Sequence, residues 1–154
     1  MRQRSDYPTF SDQEMARRHQ AIHTLMDQEG VDALLVYGTG RYSSDVYWLT
    51  DWPCSREAYV LLQNGKEPVV LMQLFNHFPM ARVMSIVNDV RWGGTNTGNS
   101  VVDLVRERGL ESKKIVWNDE AGLSYKKGRD WDDLIEKKKV EYDPKFLEEY
   151  GSDR

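Results

Sequence analysis

The spacing of apolar residues changes several times along the chain, and each change marks an element. Ser11-Asp12-Gln13-Glu14 is a helix-opening pattern in which Ser11 accepts from the Glu14 amide and Glu14 reaches back. Met15, His19, Ile22 and Met26 then fall on one stripe at about 100° per residue, with Leu25 at its edge. Gly30 can take the left-handed position after a helix, so a helix is expected over 11–29. Ala33 to Tyr37, ALLVY, is short, apolar and bounded by turn residues, which predicts a buried strand. Tyr59 to Gln63 and Pro68 to Gln73 flank Asn64-Gly65 and predict an antiparallel hairpin over 58–73. Its connection, NGKE, exceeds two residues, so the turn type stays open.

Residues 76–86 are weakly helical, and Pro79 must then stand in the first turn. Asp89 to Trp92 predicts a strand, and GGTNTGN a loop. Ser100 to Arg108 predicts a helix with Val101, Val102, Leu104 and Val105 inward, closed by Gly109. Lys114 to Trp117 predicts a strand. Tyr125 to Lys138 predicts a helix with Trp131, Leu134 and Ile135 on its apolar side, and Val140 to Tyr142 a last short strand. The order is that of an α/β domain with a mixed five- to six-stranded sheet and helices on both faces: the hairpin is antiparallel, and the crossovers favour parallel neighbours. Between the first strand and the hairpin lies a loop rich in aromatics, DVYWLTDWPCSRE, Asp45 to Glu57, which holds the only cysteine and an arginine.

Length and composition narrow the class. A chain of 154 residues suggests one domain, and 40% apolar with 30% charged residues suits a water-soluble globule. The net charge of −4 comes without a dominant acidic or basic block, so neither nucleic acid nor an anionic membrane is expected as partner. One cysteine forms no internal disulfide. The start, MRQRSDYPTF, lacks the apolar core of a signal peptide, and no apolar run approaches a membrane span. A cytoplasmic protein is the expectation.

No complete active site stands out. His19 and His23 are four apart on a helix and could face one metal, but Gln20 stands where a zincin has its general base. His19 also lies on the apolar stripe, where a hydrogen-bonded core histidine is the commoner finding. GTGRYS, Gly38 to Ser43, lacks the third glycine of a dinucleotide fingerprint and suits a plain turn better. WGGTNTGNS, Trp92 to Ser100, could cradle an anion at a helix start but has no Gly-Lys-Ser/Thr, so a Walker loop is excluded. Cys54 with His77 as base would make a nucleophilic pair, yet no oxyanion device is readable and a lone cysteine more often packs.

Taken together, several segments resemble the N-terminal domain of the creatinase, prolidase and aminopeptidase P family, of ribonuclease H-like type. ARRHQAIHTLMDQEGVDALLVYG, Ala16 to Gly38, is similar to that domain's first helix, glycine turn and first strand. DVYWLTDW, Asp45 to Trp52, resembles its Asn-x-x-Tyr-Leu-Thr-Gly element. EAYVLLQNGKEPVVL, Glu57 to Leu71, resembles its hairpin, and VVDLVRERGLESKKIVWN its late helix and strand. The likeness runs from about residue 11 to 143, with 1–10 as an extension and 144–154 as a charged tail or the start of a linker. Asp51 departs from the family's glycine, and Asp45 from its frequent asparagine.

The resemblance implies a non-catalytic domain. In the family, a separate C-terminal pita-bread domain carries two divalent ions, manganese, zinc or cobalt, on aspartates, a histidine and glutamates, and no such segment is found here. The implied partners are that catalytic domain and a second copy in a homodimer, and the implied parent reaction is metal-assisted hydrolysis, most often of an Xaa-Pro peptide bond. The resemblance also implies a substrate rim at Arg56, Trp52 and Asp51, with Trp48 mostly buried. The residue types suit a rim, since arginine binds carboxylate bidentately and tryptophan supplies rigid contact area. The rival readings are a stand-alone, peptidase-like module that binds proteins, and a small enzyme using Cys54 or the glycine-rich loop.

Overall fold

The computed structural model describes residues 8–40, 43–118 and 125–126. The first helix, α1 (Asp12–Glu29), starts at its predicted cap: the Ser11 hydroxyl accepts from the Glu14 amide at 3.2 Å, and Gly30 closes the helix at φ 60°, but the Glu14 carboxylate binds Arg17 and Arg18 rather than reaching back. Met15, Ile22 and Met26 are buried, while Leu25 is exposed. The buried position between Met15 and Ile22 belongs to Arg18 rather than to His19, which is half-buried.

The strands β1 (Ala33–Gly38), β2 (Ala58–Gln63), β3 (Val69–Met72), β4 (Asp89–Trp92), β5 (Ile115–Asn118) and β6 (Tyr125–Lys126) form one mixed sheet in the order β4-β3-β2-β1-β5-β6. β1–β2, β2–β3 and β5–β6 pair antiparallel, whereas β1–β5 and β3–β4 pair parallel. The predicted hairpin is β2–β3, with Ala58 opposite Met72, and Gly65 supplies the left-handed residue of its turn at φ 72°.

Every residue of β1 is buried because both faces of the sheet are covered. Leu34 and Val36 face a core shared with Ile22, Met26, Leu49, Ala81 and Met84. Ala33, Leu35 and Tyr37 face the other core, with Val101, Leu104, Val105 and Leu110. Thus α1, α2 (Ser44–Thr50) and α3 (Phe78–Met84) cover one face and α4 (Thr97–Glu107) covers the other.

Three expectations need correction. Residues 44–50 form the helix α2, not a loop; its β-branched and aromatic residues read as non-helical, and seven residues are too few for a clear period. The helix α4 begins at Thr97 rather than Ser100, because the Asn96 side chain accepts from the Asn99 amide at 3.1 Å and caps it there. Tyr125 and Lys126 form the edge strand β6, where a helix was expected to begin; a two-residue bridge to β5 carries no periodicity. The remainder of that helix and the strand at 140–142 lie outside the described residues. α3 starts with Pro79 in its first turn, as its ring requires.

α1 and α2 are held together by polar bonds at the end of α2. The guanidinium of Arg18 donates from Nη1 to Trp48 O at 3.1 Å, pairs through Nε with Glu14 at 2.9 Å and lies 3.8 Å from the Phe10 ring centroid. His19 Nε2 donates to Leu49 O at 2.7 Å. Hydrogen bonds from Arg17 first, and then from Arg18, hold Glu14 down at about 2 against an ordinary value near 4.5.

Leu62 is fully buried in a central strand. Leu62→Ala is expected to lower unfolding stability by roughly 2–5 kcal/mol, read from the midpoint of a urea transition at unchanged slope. The Glu14 shift sets a pH window. A carboxylate depressed by folding contributes stability that is complete above its unfolded value and is lost as pH falls through its folded value. The melting-temperature gap between the wild-type chain and Glu14→Gln is therefore expected to be constant above about pH 5 and to close between about pH 4.5 and 2. A gap that stays constant down to pH 2 would contradict the assignment.

Candidate functional site

The candidate residues gather at one end of the sheet, where β1, β3, β4 and β5 finish and β2 begins. α2 and the segment 51–57 lie across this end. Two glycines allow the close packing there. A Cβ on Gly38 would stand 2.7 Å from Val46 Cγ2, and one on Gly93 would stand 2.5 Å from Thr97 Cγ2. Both loops that contain glycine patterns are thus explained by packing. At the second, Ser100 Oγ also donates to Gly93 O at 2.7 Å, so the start of α4 is occupied by its own side chains.

The three rim candidates part company in the structure. Asp51 is 2% exposed; it ends α2 at φ 56°, and its carboxylate accepts from the Phe10 amide at 3.1 Å. Trp52 is 4% exposed and belongs to the core with Val46, Leu49 and Cys54. Neither presents a face to solvent at a rim. Arg56 is exposed, and its guanidinium makes no hydrogen bond or ion pair with the described residues. The expected burial of Trp48 is reversed: it is 37% exposed, with its ring 5.3 Å from the Arg18 guanidinium carbon. At this point of the turn it is Trp52 that fills the core. Tyr59 is buried and packs on Tyr37, with ring centroids 5.0 Å apart.

The segment beneath Arg56 is tightly bonded. Ser43 Oγ lies 2.8 Å from both Gly40 O and Cys54 O, and the Cys54 thiol donates to Arg56 O at 3.2 Å. Burial pushes that thiol up to about 11, so Cys54 is a neutral packed group at ordinary pH, and its hydrogen-bond partner is a carbonyl rather than His77. His19 and His23 likewise serve structure. The first caps α2, and the second donates from Nδ1 to Asn64 Oδ1 at 2.5 Å near the opposite end of the sheet. A polar cleft of about 440 Å³ lies at that opposite end, bordered by Asp27, Asp32, Gln63, Asn64 and Lys113.

Sequence reasoning missed Asn118. Its side chain is buried and continues the β1–β5 ladder: Oδ1 accepts from Tyr37 N at 2.7 Å, and Nδ2 donates to Tyr37 O at 2.8 Å and to Asp45 at 3.2 Å. The signal was present as a lone amide ending the apolar run IVWN. Asp45 thereby ties the first turn of α2 to the sheet. Among the described residues no three His, Cys, Asp or Glu side chains gather as a metal-binding set, and none of their helices is long and apolar enough to cross a membrane.

Comparison with known proteins agrees with this architecture. The creatinase/prolidase N-terminal domain matches residues 18–145. No curated protein matches the chain in sequence. Among solved structures, an Xaa-Pro aminopeptidase from Streptococcus pyogenes aligns with a TM-score of 0.59 at 19% identity, covering 71% of this chain and 78% of that one. An aminopeptidase P from Streptococcus thermophilus aligns at 0.56 and 24% identity, covering 69% and 75%. An Xaa-Pro dipeptidase from Bacillus anthracis aligns at 0.57 and 14% identity, covering 70% of this chain but 29% of its own. At these identities the alignments establish a shared fold. With a family match over most of its length, the chain belongs to the creatinase/prolidase N-terminal domain family.

Proposed function

We propose that this domain acts as the N-terminal accessory unit of a metal-dependent Xaa-Pro peptidase or creatinase-type hydrolase in the cytoplasm. In this reading the two divalent ions sit in a separate catalytic domain, where they supply Lewis-acid activation of water. This domain's share is recognition and contacts within a homodimer. The observation that carries the reading is Arg56: an exposed guanidinium without a partner among the described residues, on a segment pinned by Ser43 and Cys54. A cation held in this way suits the terminal carboxylate of a peptide or a small acidic substrate, which it can bind through two parallel hydrogen bonds.

Two outcomes test the reading. The purified 154-residue chain is expected to hydrolyse neither Xaa-Pro peptides nor creatine, with or without manganese, zinc or cobalt. Metal-dependent turnover abolished by mutation of a ligand within the chain would refute it. In the polypeptide that joins this domain to its catalytic domain, Arg56→Ala is expected to raise KM or lower kcat/KM about 10- to 100-fold, or roughly 1.5–3 kcal/mol. Circular dichroism and melting should stay at wild-type values. Unchanged kinetics would remove Arg56 from the site.

A further inference from the structure

The exposed large apolar side chains among the described residues are unevenly placed. Phe75, at 63% exposure, Met80, at 57%, Val83 and Trp92 all belong to β4 or to α3 and the turn that leads into it. The helix α3, FPMARVM, turns Ala81 and Met84 to the core, which leaves Pro79, Met80 and Val83 on its outer side. A helix apolar on both sides is one that ordinarily has a partner on each. Phe75 stands edge-on to Trp92 at 5.4 Å and stacks with Phe78 at 6.3 Å, so the aromatic rings form one preset cluster beside the helix. The indole of Trp92 is fixed by its bond to Gln73 O at 2.9 Å.

The charge around this surface is equally uneven. From Pro68 to Asn88 the sequence contains no aspartate, glutamate or lysine, in a chain whose net charge is −4. The cation there is Arg82, held over the Phe78 ring at 5.5 Å. On β4, Asp89 belongs to the opposite side of the sheet, where it pairs with Arg91 at 2.7 Å. Aromatic residues, methionine and arginine with lysine and carboxylates excluded is the composition of the centre of a protein–protein interface.

We propose that the outer side of α3, together with Phe75 and Trp92, docks another polypeptide that presents an apolar surface bordered by carboxylates. That apolar surface covers Met80, Val83 and the rings, and one carboxylate meets Arg82. A second copy of this chain fits poorly. A two-fold interface sets the surface against itself, which opposes the two Arg82 side chains, and the stretch 68–88 offers neither a carboxylate. A membrane surface fits poorly as well, because helices that lie on lipid carry several cations and this one has a single arginine. The inference stands apart from the reading of Arg56 and holds whether or not that residue meets substrate.

The test uses the full chain labelled with ¹⁵N, following the Trp92 indole N–H and the amides of α3. Two synthetic helical peptides with the same leucine stripe serve as probes, one flanked by glutamates and the other by lysines. The glutamate peptide is expected to shift the signals of α3 and Trp92 and to bind on the order of fivefold tighter than the lysine peptide. Arg82→Glu should reverse that preference. Met80→Ser with Val83→Ser, both at exposed positions, should weaken binding of the glutamate peptide at least tenfold while leaving circular dichroism unchanged. The proposal is overturned if neither peptide binds, if both bind equally, or if Arg82→Glu leaves the preference in place. It is also overturned if the same signals respond instead to phosphatidylglycerol vesicles or to protein concentration with dimer in sedimentation.

Discussion

The end of α2 is the joint on which this architecture depends. A seven-residue helix satisfies few of its own carbonyls, and the last four need partners from elsewhere. Three parts of the chain supply them. The Asp51 amide donates to Tyr47 O, Arg18 to Trp48 O, His19 to Leu49 O and the Ile86 amide to Thr50 O. So α1, the turn after α2 and the segment leaving α3 converge on one short helix. Such a helix would not persist in isolation, since forming its first turn costs more than its few internal bonds return. Its stability is tertiary, and in return it fixes how α1 and α3 lie on the same face of the sheet.

That joint also explains how an aspartate holds position 51. Position 51 needs a left-handed backbone, which glycine adopts without strain and aspartate tolerates better than most residues. Here the carboxylate accepts from the Phe10 amide, so the strain is offset by a bond that anchors the residues before α1. Phe10 in turn covers the Arg18 guanidinium and lies 5.7 Å from Tyr47. A buried arginine is costly without partners, and this one has a carboxylate, a carbonyl and two aromatic faces. At the other end of α2, Asn118 joins Asp45 to β1 and β5. The same short helix is thereby tied to the sheet at its start and to its neighbouring helices at its end, and the segment 51–57 inherits a defined course.

The consequence for function is a division of the surface. Three aromatics between residues 47 and 59 are committed to packing: Trp52 and Tyr47 beside the joint, in the core and against Phe10, and Tyr59 against Tyr37 on the other face of the sheet. Arg56 stands beyond them with its side chain in solvent. The carboxylate-poor stretch 68–88 forms a separate apolar surface along α3. The described residues thus carry an exposed cation on a hydrogen-bonded segment and an aromatic cluster beside a helix.

The amino-acid sequence alone determined the elements whose signals are local. The Ser11 cap and Gly30 bracket α1, the ALLVY run makes β1, and Asn64-Gly65 sets the hairpin, because capping, burial on both faces and turn chemistry act within a few residues. The order of these elements was enough to place the family and the mixed sheet. Only the tertiary structure decided the rest. α2 was unreadable because its stabilising bonds come from residues 30 or more positions away. For the same reason, Arg18 rather than His19 fills the buried place on α1, and Trp52 rather than Trp48 enters the core. Those choices depend on which carbonyls and rings arrive opposite each side chain, and that is set by packing, not by the local run of residues.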